Sequence, residues 1–280
     1  MKIDSHHHSR RVARGDYGWL TPETGPIFRD YEPSDLEPIL HRHGIGRTIL
    51  VQAAPTLAET RFLLETAART PFVAGVVGWA DFTGSDAPRL IAETAADPLL
   101  VGLRPMVQDI GDDDWLVRPE LAPAFHALLA ASLVFDALVL PRHLPRLLSV
   151  ADRYPGLTIV IDHGAKPHIR QGRLDPWADD MAALARRPNV VCKLSGLANE
   201  AGPGWTVAQL EHYVRHLVDV FGPDRLLWGS DWPVVELAGS YDAWMDASEQ
   251  LLAPLSPAMR AAVFGGNAAR IYLAKRGRAC

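Results

Sequence analysis

Three consecutive histidines, His6, His7 and His8, follow Asp4 and Ser5 near the N-terminus of the chain. Residues i and i+2 of a β-strand point to the same side, so a strand here would pair His6 with His8 and turn His7 away. Two imidazoles on one face could bind a borderline metal such as Zn²⁺, or hold a substrate without metal. A purification tag is the alternative interpretation, but only three histidines are present and they continue a strand-like start, which favours a functional site.

Further side chains that could do chemistry follow apolar runs along the rest of the chain. Polar groups are costly to bury without partners, so their recurrence at the ends of apolar runs favours one shared site. A third imidazole from His163 and a carboxylate from Asp231 could complete a metal site with His6 and His8. The remaining candidates, in chain order, are Gln52, Trp79, Arg104, His143, Lys193 and Trp232.

Each candidate also has a plain structural interpretation. His163 could be a core histidine bonded to a backbone carbonyl, and Asp231 could cap the helix that follows it, because aspartate is a good N-cap residue. Arg104 and Lys193 could form ion pairs inside the core, and the tryptophans could simply pack there. The functional interpretation requires that the imidazoles and the late carboxylate meet at one cavity.

Eight short apolar runs predict the strands that must position these groups. Most are rich in Val, Ile and Leu without strict alternation, which is typical of parallel strands covered on both faces. Helix-like stretches lie between or after them, at residues 33–44, 56–71, 142–156, 207–222 and 256–273. The strand-like runs are residues 2–8, 47–54, 72–81, 99–107, 133–140, 157–164, 190–196 and 226–233.

This alternation predicts an α/β fold, a (β/α)₈ TIM barrel formed as a single domain by residues 1–280. An open doubly wound sheet is the alternative, but it would be favoured by a glycine-rich phosphate turn after the first strand, and the sequence has none there. In a barrel, functional residues lie at the carboxyl ends of the strands, which is where the candidates fall. The long irregular segment 9–34 is then a loop at the catalytic face.

Composition and charge exclude several other classes of protein. The chain has 280 residues, of which 48% are hydrophobic, and a formal net charge of −5. Lys and Arg are spread along the sequence, so we expect no nucleic-acid partner. Cys192 and Cys280 do not make a disulfide framework, and no apolar run reaches the roughly 20 residues of a membrane span. We expect a cytoplasmic monomer or homodimer that acts on a small molecule and does not bind membranes.

A set of motifs between residue 3 and about residue 273 resembles one known family. The pieces "IDSHHH", "VVGWAD", "GLRPMVQD", "VIDHGAKP", "CKLSGL", "GSDWP" and "NAARIY" are similar to the amidohydrolase superfamily. Within it they most resemble the amidohydrolase-2 branch of TIM-barrel metal-dependent hydrolases, which includes sugar-acid lactonases and 2-pyrone-4,6-dicarboxylate lactonase. The combination of an N-terminal HxH, a mid-chain DH and GSDWP is specific, whereas HxH alone would be weak.

The resemblance implies a hydrolase that opens a lactone, of the fuconolactone or rhamnonolactone type. Asp231 matches the general base that activates water, and His6, His8, His163 and Asp231 match the metal-binding positions. His163, Arg104 or a single divalent metal, Zn²⁺ or Mn²⁺, would polarise the carbonyl; hydrolysis without metal is the other option. A two-metal site is not expected, because Arg104 cannot bridge metals while protonated. The residues assigned to substrate binding are Lys193, Trp79, Gln52, His143 and Trp232.

Two other functions stay open at the level of sequence. Some relatives in this branch are metal-dependent decarboxylases that use the same histidines and aspartate. A barrel that binds a ligand without catalysis is the third option, because Ser9-Arg10 stands where lactonases of this branch usually have an aromatic pair after HxH. This departure leaves the choice of substrate open.

Overall fold

The strands form a single parallel barrel in the computed structural model of the chain, which describes residues 1–274. Each strand pairs in parallel with its neighbours in chain order, so the order of the strands in the sheet is their order in the sequence. This confirms the predicted (β/α)₈ barrel over the open doubly wound sheet. The strands are β1 (Lys2–His7), β2 (Ile45–Val51), β3 (Val73–Gly78), β4 (Leu100–Leu103), β5 (Val134–Ala137), β6 (Ile159–Ile161), β7 (Val190–Leu194) and β8 (Leu226–Trp228).

Two backbone hydrogen bonds join β1 to the segment that follows β8. The amide of Asp231 donates to the carbonyl of His6 at 2.8 Å, and the amide of His8 donates to the carbonyl of Trp232 at 2.8 Å. His7 and Trp232 also form a parallel bridge. Barrel closure therefore places the N-terminal histidines directly beside Asp231, although they lie at opposite ends of the sequence.

Helices connect the strands and surround the barrel. The helix predicted at residues 33–44 is α1, and Gly44 ends it in the left-handed conformation that suits a glycine C-cap. The stretch predicted as helical over residues 256–273 is helical, but only Pro257–Ala261 is a regular α-helix at its start; Ala262–Gly266 and Ala269–Leu273 are π-helical, with a kink at Gly265. The Gly265-Gly266 pair weakens an α-helix there. The helices are α1 (Pro33–His43), α2 (Leu57–Ala68), α3 (Ala87–Ala95), α4 (Ala122–Ala130), α5 (Leu144–Arg153), α6 (Trp177–Ala185), α7 (Leu197–Ala201), α8 (Val207–Phe221), α9 (Tyr241–Leu251) and α10 (Pro257–Ala261).

Several strands end earlier than the apolar runs predict, and the difference positions the site. β6 ends at Ile161 and β8 ends at Trp228. The runs continue into turns that carry Asp162, His163 and Asp231 at the carboxyl end of the barrel. These polar groups therefore lie on irregular backbone just beyond the strands, as is usual in this fold.

The barrel interior changes from apolar to polar along β5 and β7. Val134 and Val191 belong to an apolar interior cluster, which Ile271 and Tyr272 of the C-terminal segment also join. Asp136 and Lys193 follow two residues later on the same sides of these strands. Both are fully buried, so a charged layer lies in the barrel directly above the apolar one.

The loop of residues 9–34 packs onto the carboxyl end of the barrel through side-chain hydrogen bonds. The hydroxyl of Tyr17 donates to Glu59 of α2 at 2.7 Å, and that of Tyr31 donates to Glu236 at 2.7 Å. Arg10 and Tyr31 form an antiparallel bridge across the loop. The loop is thus fixed to both sides of the barrel mouth.

The helices and the cysteines bear on the expectations about membrane spans and disulfides. Among the described residues, none of the helices has the length and apolar character needed to cross a membrane. Cys192 is a buried free thiol in β7, and Cys280 lies outside the described residues.

Candidate active site

Three imidazoles surround the carboxylate of Asp231 at the mouth of the barrel. Oδ1 of Asp231 lies 3.2 Å from Nε2 of His8, 3.7 Å from Nε2 of His6 and 3.9 Å from Nε2 of His163. The His6 and His163 rings are 4.5 Å apart between centroids. The convergence that the sequence requires for a functional site is therefore present.

The backbone of β1 sorts the three N-terminal histidines as alternation predicts. His6 and His8 face Asp231, whereas Nε2 of His7 lies 2.9 Å from the hydroxyl of Thr48 on the neighbouring strand. His7 is fully buried away from the carboxylate. It supports the pairing of β1 with β2 and does not belong to the site.

Hydrogen bonds at the far ring nitrogens orient His8 and His163. Nδ1 of His8 donates to the carbonyl of Val51 at 2.8 Å, and Nδ1 of His163 lies 2.9 Å from the hydroxyl of Ser195. A carbonyl can only accept, so Nε2 of neutral His8 carries a lone pair. That lone pair faces the Asp231 carboxylate, an arrangement that calls for a proton or a cation between them.

His6, besides facing Asp231, contacts two buried cations. Nζ of Lys193 lies 3.1 Å from its Nδ1, and Nη1 of Arg104 lies 3.4 Å from its Nε2. Asp162 balances both charges, at 2.9 Å from Lys193 and 3.1 Å from Arg104. Asp136 adds a second carboxylate 2.6 Å from Lys193. The two cations are thus paired with two anions, as buried charges require.

Two site residues have backbone conformations that side chains rarely adopt. His163 has φ of 54° and Asp231 has φ of 58°, both in the left-handed region. Non-glycine residues held there carry strain and are common at functional sites. Gly196 makes room for the histidine, because a Cβ at this position would lie 2.7 Å from Nδ1 of His163.

Burial and mutual charge set opposite protonation states for the carboxylate and the imidazoles. Burial lowers the pKa of His163 to about 4, although Asp231 opposes this change. Burial alone would raise the pKa of Asp231, but His163, His8 and His6 together lower it below its usual value. At neutral pH an ionised carboxylate therefore faces neutral imidazoles, which can accept a proton or bind a metal.

A cavity of about 240 Å³ opens above these groups. Arg104, His8, His163 and Asp231 form its polar end. Most of the other residues that line this cavity could not be assigned to the site from the sequence, although Lys166 lies in the family motif "VIDHGAKP". Trp19 comes from the loop of residues 9–34, and the remaining wall includes Met106, Gln108, Leu138, Lys166, Val234 and Leu237.

Comparison with known proteins identifies the family. The amidohydrolase family model matches residues 3–273. The chain belongs to the amidohydrolase family. It is 52% identical over 276 residues to an L-fucono-1,5-lactonase of Burkholderia ambifaria, covering 97% of this chain and 95% of the relative. It is 38% identical over 284 residues to an L-fucono-1,5-lactonase of Burkholderia multivorans, covering 97% of this chain and 96% of that one.

Solved structures agree with this assignment. A Burkholderia multivorans amidohydrolase crystallised with bound zinc is 37% identical, covers 97% of this chain and 99% of its own, and has a TM-score of 0.90. A 5-carboxyvanillate decarboxylase from Sphingomonas paucimobilis, at 19% identity and a TM-score of 0.63, shares the fold. At that identity the likeness carries no conclusion about activity.

The donor atoms of this amidohydrolase suit one divalent metal ion. His6, His163 and Asp231 can each present one ligand atom, with all three atoms within 4.8 Å of one another. Two nitrogens and one oxygen are a donor set that Zn²⁺ accepts. The lone pair of His8 directed at Asp231 and the hydrogen bond that fixes His163 are what a metal ligand needs. Both observations support the predicted single site for Zn²⁺ or Mn²⁺.

Two residues predicted to bind substrate, Lys193 and Gln52, are buried beneath or beside the cavity. Lys193 is fully buried under His6 and has no surface in the cavity. Gln52 is also fully buried, and its Nε2 donates to the carbonyl of Arg104 at 2.7 Å. In this structure both residues hold site residues in place. Direct contact with a substrate would require them to move.

The last three predicted residues are spread around the mouth. His143 is buried in a turn after β5, where its Nδ1 accepts from the amide of Leu140 at 3.1 Å. Trp232 is buried and donates from Nε1 to Glu236 at 2.9 Å. Trp79 lines a groove that adjoins the cavity. The structure therefore brings neither His143 nor Trp232 to the cavity wall.

Arg10 lies in the Ser9-Arg10 pair that directly follows the HxH motif. Its side chain is fully buried, with the guanidinium carbon 4.8 Å from the ring centre of Tyr31 and 5.5 Å from that of Trp19. It also donates to the carbonyl of Ile27. Cation–π packing by Arg10 thus holds Trp19 at the cavity wall.

Proposed function

We propose that this amidohydrolase hydrolyses sugar-acid 1,5-lactones, with L-fucono-1,5-lactone as the best substrate among lactones of a single sugar. The two lactonase relatives confirm the predicted reaction class, and the solved decarboxylase shares only the fold. The observation that carries the proposal is the ionised Asp231 with imidazole nitrogens at 3.2 Å and 3.7 Å, at the end of a small cavity. A carboxylate so placed can take a proton from water and direct it to a carbonyl carbon.

The chemistry is the addition of water and the opening of an ester. The oxygen of water attacks the lactone carbonyl carbon while Asp231 takes one proton, and the carbonyl electron pair moves onto its oxygen. The tetrahedral intermediate collapses by breaking the bond to the ring oxygen. That oxygen leaves as a hydroxyl group with the proton from Asp231, and the product is an open-chain sugar acid.

Arg104 is the fixed cation that can stabilise the developing negative charge. Its guanidinium is 3% exposed, lines the cavity and is tied to Asp162 and Gln52. Its Nε is buried without a hydrogen-bond partner among the described residues. A preorganised donor in a water-poor cavity stabilises a transition-state oxyanion strongly.

His6, His163 and Asp231, with His8 beside them, would hold a divalent metal. When bound, such an ion supplies Lewis acidity toward the lactone carbonyl and lowers the pKa of bound water. The protein orients the ligands: the carbonyl of Val51 fixes the His8 ring and the hydroxyl of Ser195 fixes the His163 ring, and the fold excludes bulk water from beneath them.

The apolar wall of the cavity suits a 6-deoxy sugar acid. Leu138, Val234 and Leu237 lie in the wall and offer contact for a methyl group. A cavity of about 240 Å³ is below the usual range for drug-sized ligands, so it fits one sugar ring. L-Fucono-1,5-lactone has one ring and one methyl group.

The biological setting remains part of the proposal. We infer a cytoplasmic enzyme that acts as a monomer or a homodimer. Light scattering after size-exclusion chromatography measures the mass of the assembly, and fractionation of expressing cells measures its location. A trimer, or recovery outside the cytoplasmic fraction, would contradict these two inferences.

The test of the proposed function is a panel of aldono-1,5-lactones followed with a pH indicator, with and without added Zn²⁺ or Mn²⁺. We expect the highest kcat/KM with L-fucono-1,5-lactone. Absence of turnover across the panel, with CO₂ released from an aromatic acid instead, would support the decarboxylase alternative and contradict the proposal.

A further inference from the structure

A second and larger cavity, here called the outer groove, adjoins the proposed catalytic cavity. It has a volume of about 830 Å³, against about 240 Å³ for the inner one. Trp19, Met106 and Asp109 line both. The two spaces therefore meet along these three residues, and a ligand could extend from one into the other.

Three tryptophans lie in the walls of the outer groove, and hydrogen bonds hold the ring of Trp19 and the backbone of Trp79. Trp19 donates from Nε1 to the carbonyl of Ala53 at 2.7 Å and leaves 37% of its surface exposed. Thr60 clamps Trp79 by accepting from its amide at 2.8 Å and donating to its carbonyl at 2.9 Å. Trp115 lies behind them in the wall. Sugar rings present C–H groups that pack on the electron-rich faces of such rings.

The polar groups of the outer groove are mainly hydrogen-bond acceptors. Asp16, Asp81 and Asp109 contribute carboxylates, whereas the guanidinium of Arg118 is already paired with Asp112 at 2.6 Å. Asp16 is the least available of the three, because its Oδ1 is buried and its Oδ2 is paired with Arg14 at 2.6 Å. Asp81 and Asp109 are exposed, and a carboxylate oxygen can accept more than one hydrogen bond, so both can accept from the hydroxyl groups of a ligand even though Oδ1 of Asp81 already accepts from Thr83. The acidic surroundings also disfavour a ligand with a negative charge.

We propose that the outer groove is a second sugar subsite, which binds a neutral sugar linked to the lactone in the inner cavity. The preferred substrates of the enzyme are then lactones of glycosylated sugar acids, and the lactone of a single sugar is the smallest substrate of this class. The inference rests on the proposed function, because it assumes that a lactone ring occupies the inner cavity. It follows from three features together: the boundary that the two cavities share, the tryptophans in the wall with the ring of Trp19 held by Ala53, and the exposed carboxylates of Asp81 and Asp109.

The experiment compares the single-ring lactone with lactones of disaccharide acids linked through C2, C3 or C4. We expect at least one linkage to show a KM about tenfold lower than the single-ring lactone, as one good stacking contact would give. Trp79→Ala should lower the ratio of kcat/KM, linked over single-ring, by about the same factor. A linked lactone carrying a carboxylate on the second sugar should be the poorer substrate.

The controls separate this inference from the proposed function. Met259→Ala changes an apolar residue that is 43% exposed at a helix away from both cavities, and it should leave the ratio unchanged. Trp79→Phe keeps an aromatic face and should retain part of the preference if Trp79→Ala fails to fold. Turnover of the single-ring lactone with no gain for any linked one would overturn the subsite alone. No turnover of either would overturn the proposed function.

Discussion

Nζ of Lys193 lies 3.1 Å from Nδ1 of His6, and it connects this histidine to buried groups deeper in the barrel. The same ammonium lies 2.6 Å from Asp136, whose carboxylate accepts from the hydroxyl of Tyr272 at 2.8 Å. Tyr272 belongs to the C-terminal segment, which packs into the barrel interior. A continuous buried hydrogen-bonded column therefore runs from the C-terminal segment to His6.

Lys193→Met should destabilise the protein strongly, because it leaves Asp136 and Asp162 buried without their shared cation. We expect a loss of about 3–5 kcal/mol in the free energy of unfolding, measured with urea. Tyr272→Phe removes one hydrogen bond but keeps the charges, and it should cost about 1–3 kcal/mol. A Lys193→Met variant as stable as wild type would show that the column does not support the fold.

Arg10→Lys should loosen the cavity wall. Lysine has no planar guanidinium to pack against Tyr31 and Trp19, and its ammonium cannot reproduce the hydrogen bond that Arg10 donates to the carbonyl of Ile27. We expect KM for L-fucono-1,5-lactone to rise about tenfold, which corresponds to a loss of about 1.4 kcal/mol and lies within the range of cation–π contacts, with a smaller change in kcat. Arg29→Lys is the matched control, because Arg29 packs on Tyr31 from the exposed side. Equal effects of the two substitutions would contradict the role given to Arg10.

Glu59 should make the stability of the loop attachment depend on pH. Burial raises the pKa of Glu59 from 4.5 to about 7, even though Tyr17 and the amide of Ala53 donate to it. A raised acid pKa means that the folded state binds the proton more tightly, so the contribution of Glu59 to stability is fully present below pH 4.5 and is lost as pH rises through about 7.

The comparison of wild type with Glu59→Gln isolates this contribution. Between these pH values the wild type should lose on the order of 3 kcal/mol relative to the variant, as measured by urea unfolding across the range. Glu65→Gln, on an exposed position of the same helix, is the control. Parallel pH profiles for wild type and Glu59→Gln would refute the prediction.

Zinc should stabilise the protein through His163. At a free Zn²⁺ concentration a hundredfold above Kd, linkage predicts a gain of about 2.7 kcal/mol, which raises Tm by several degrees. His163→Ala should abolish most of this gain, whereas His212→Ala, on the exposed face of α8, should keep it. A zinc-dependent rise in Tm that survives His163→Ala would place the ion elsewhere.

The main positions of the site follow from strand geometry and could be predicted. His6 and His8 share a face because strand side chains alternate, and His163 and Asp231 follow strands whose carboxyl ends meet in a barrel. The depth of a side chain is harder to predict. Lys193 alternates with Val191 and Ser195 on the inner side of β7, so the sequence places it inside the barrel. It does not show that a layer containing His6 lies above it.

The loop residues of the site could not be predicted in the same way. Trp19 lies in an irregular segment without hydrophobic periodicity, and its position depends on Arg10, Tyr31 and Ala53. Lys166 reaches the cavity wall through a turn in which its own φ is 53°. Such conformations are set by tertiary contacts and leave no regular pattern in the sequence.

The most direct test of the account is the rate of L-fucono-1,5-lactone hydrolysis by Asp231→Asn. The variant keeps the shape of the side chain but cannot accept a proton, so kcat should fall by about 10²–10⁴ while the circular dichroism spectrum stays the same. Asp179→Asn, at an exposed position of α6, should retain full activity. A folded Asp231→Asn enzyme with wild-type kcat would contradict the assignment of Asp231 as the base.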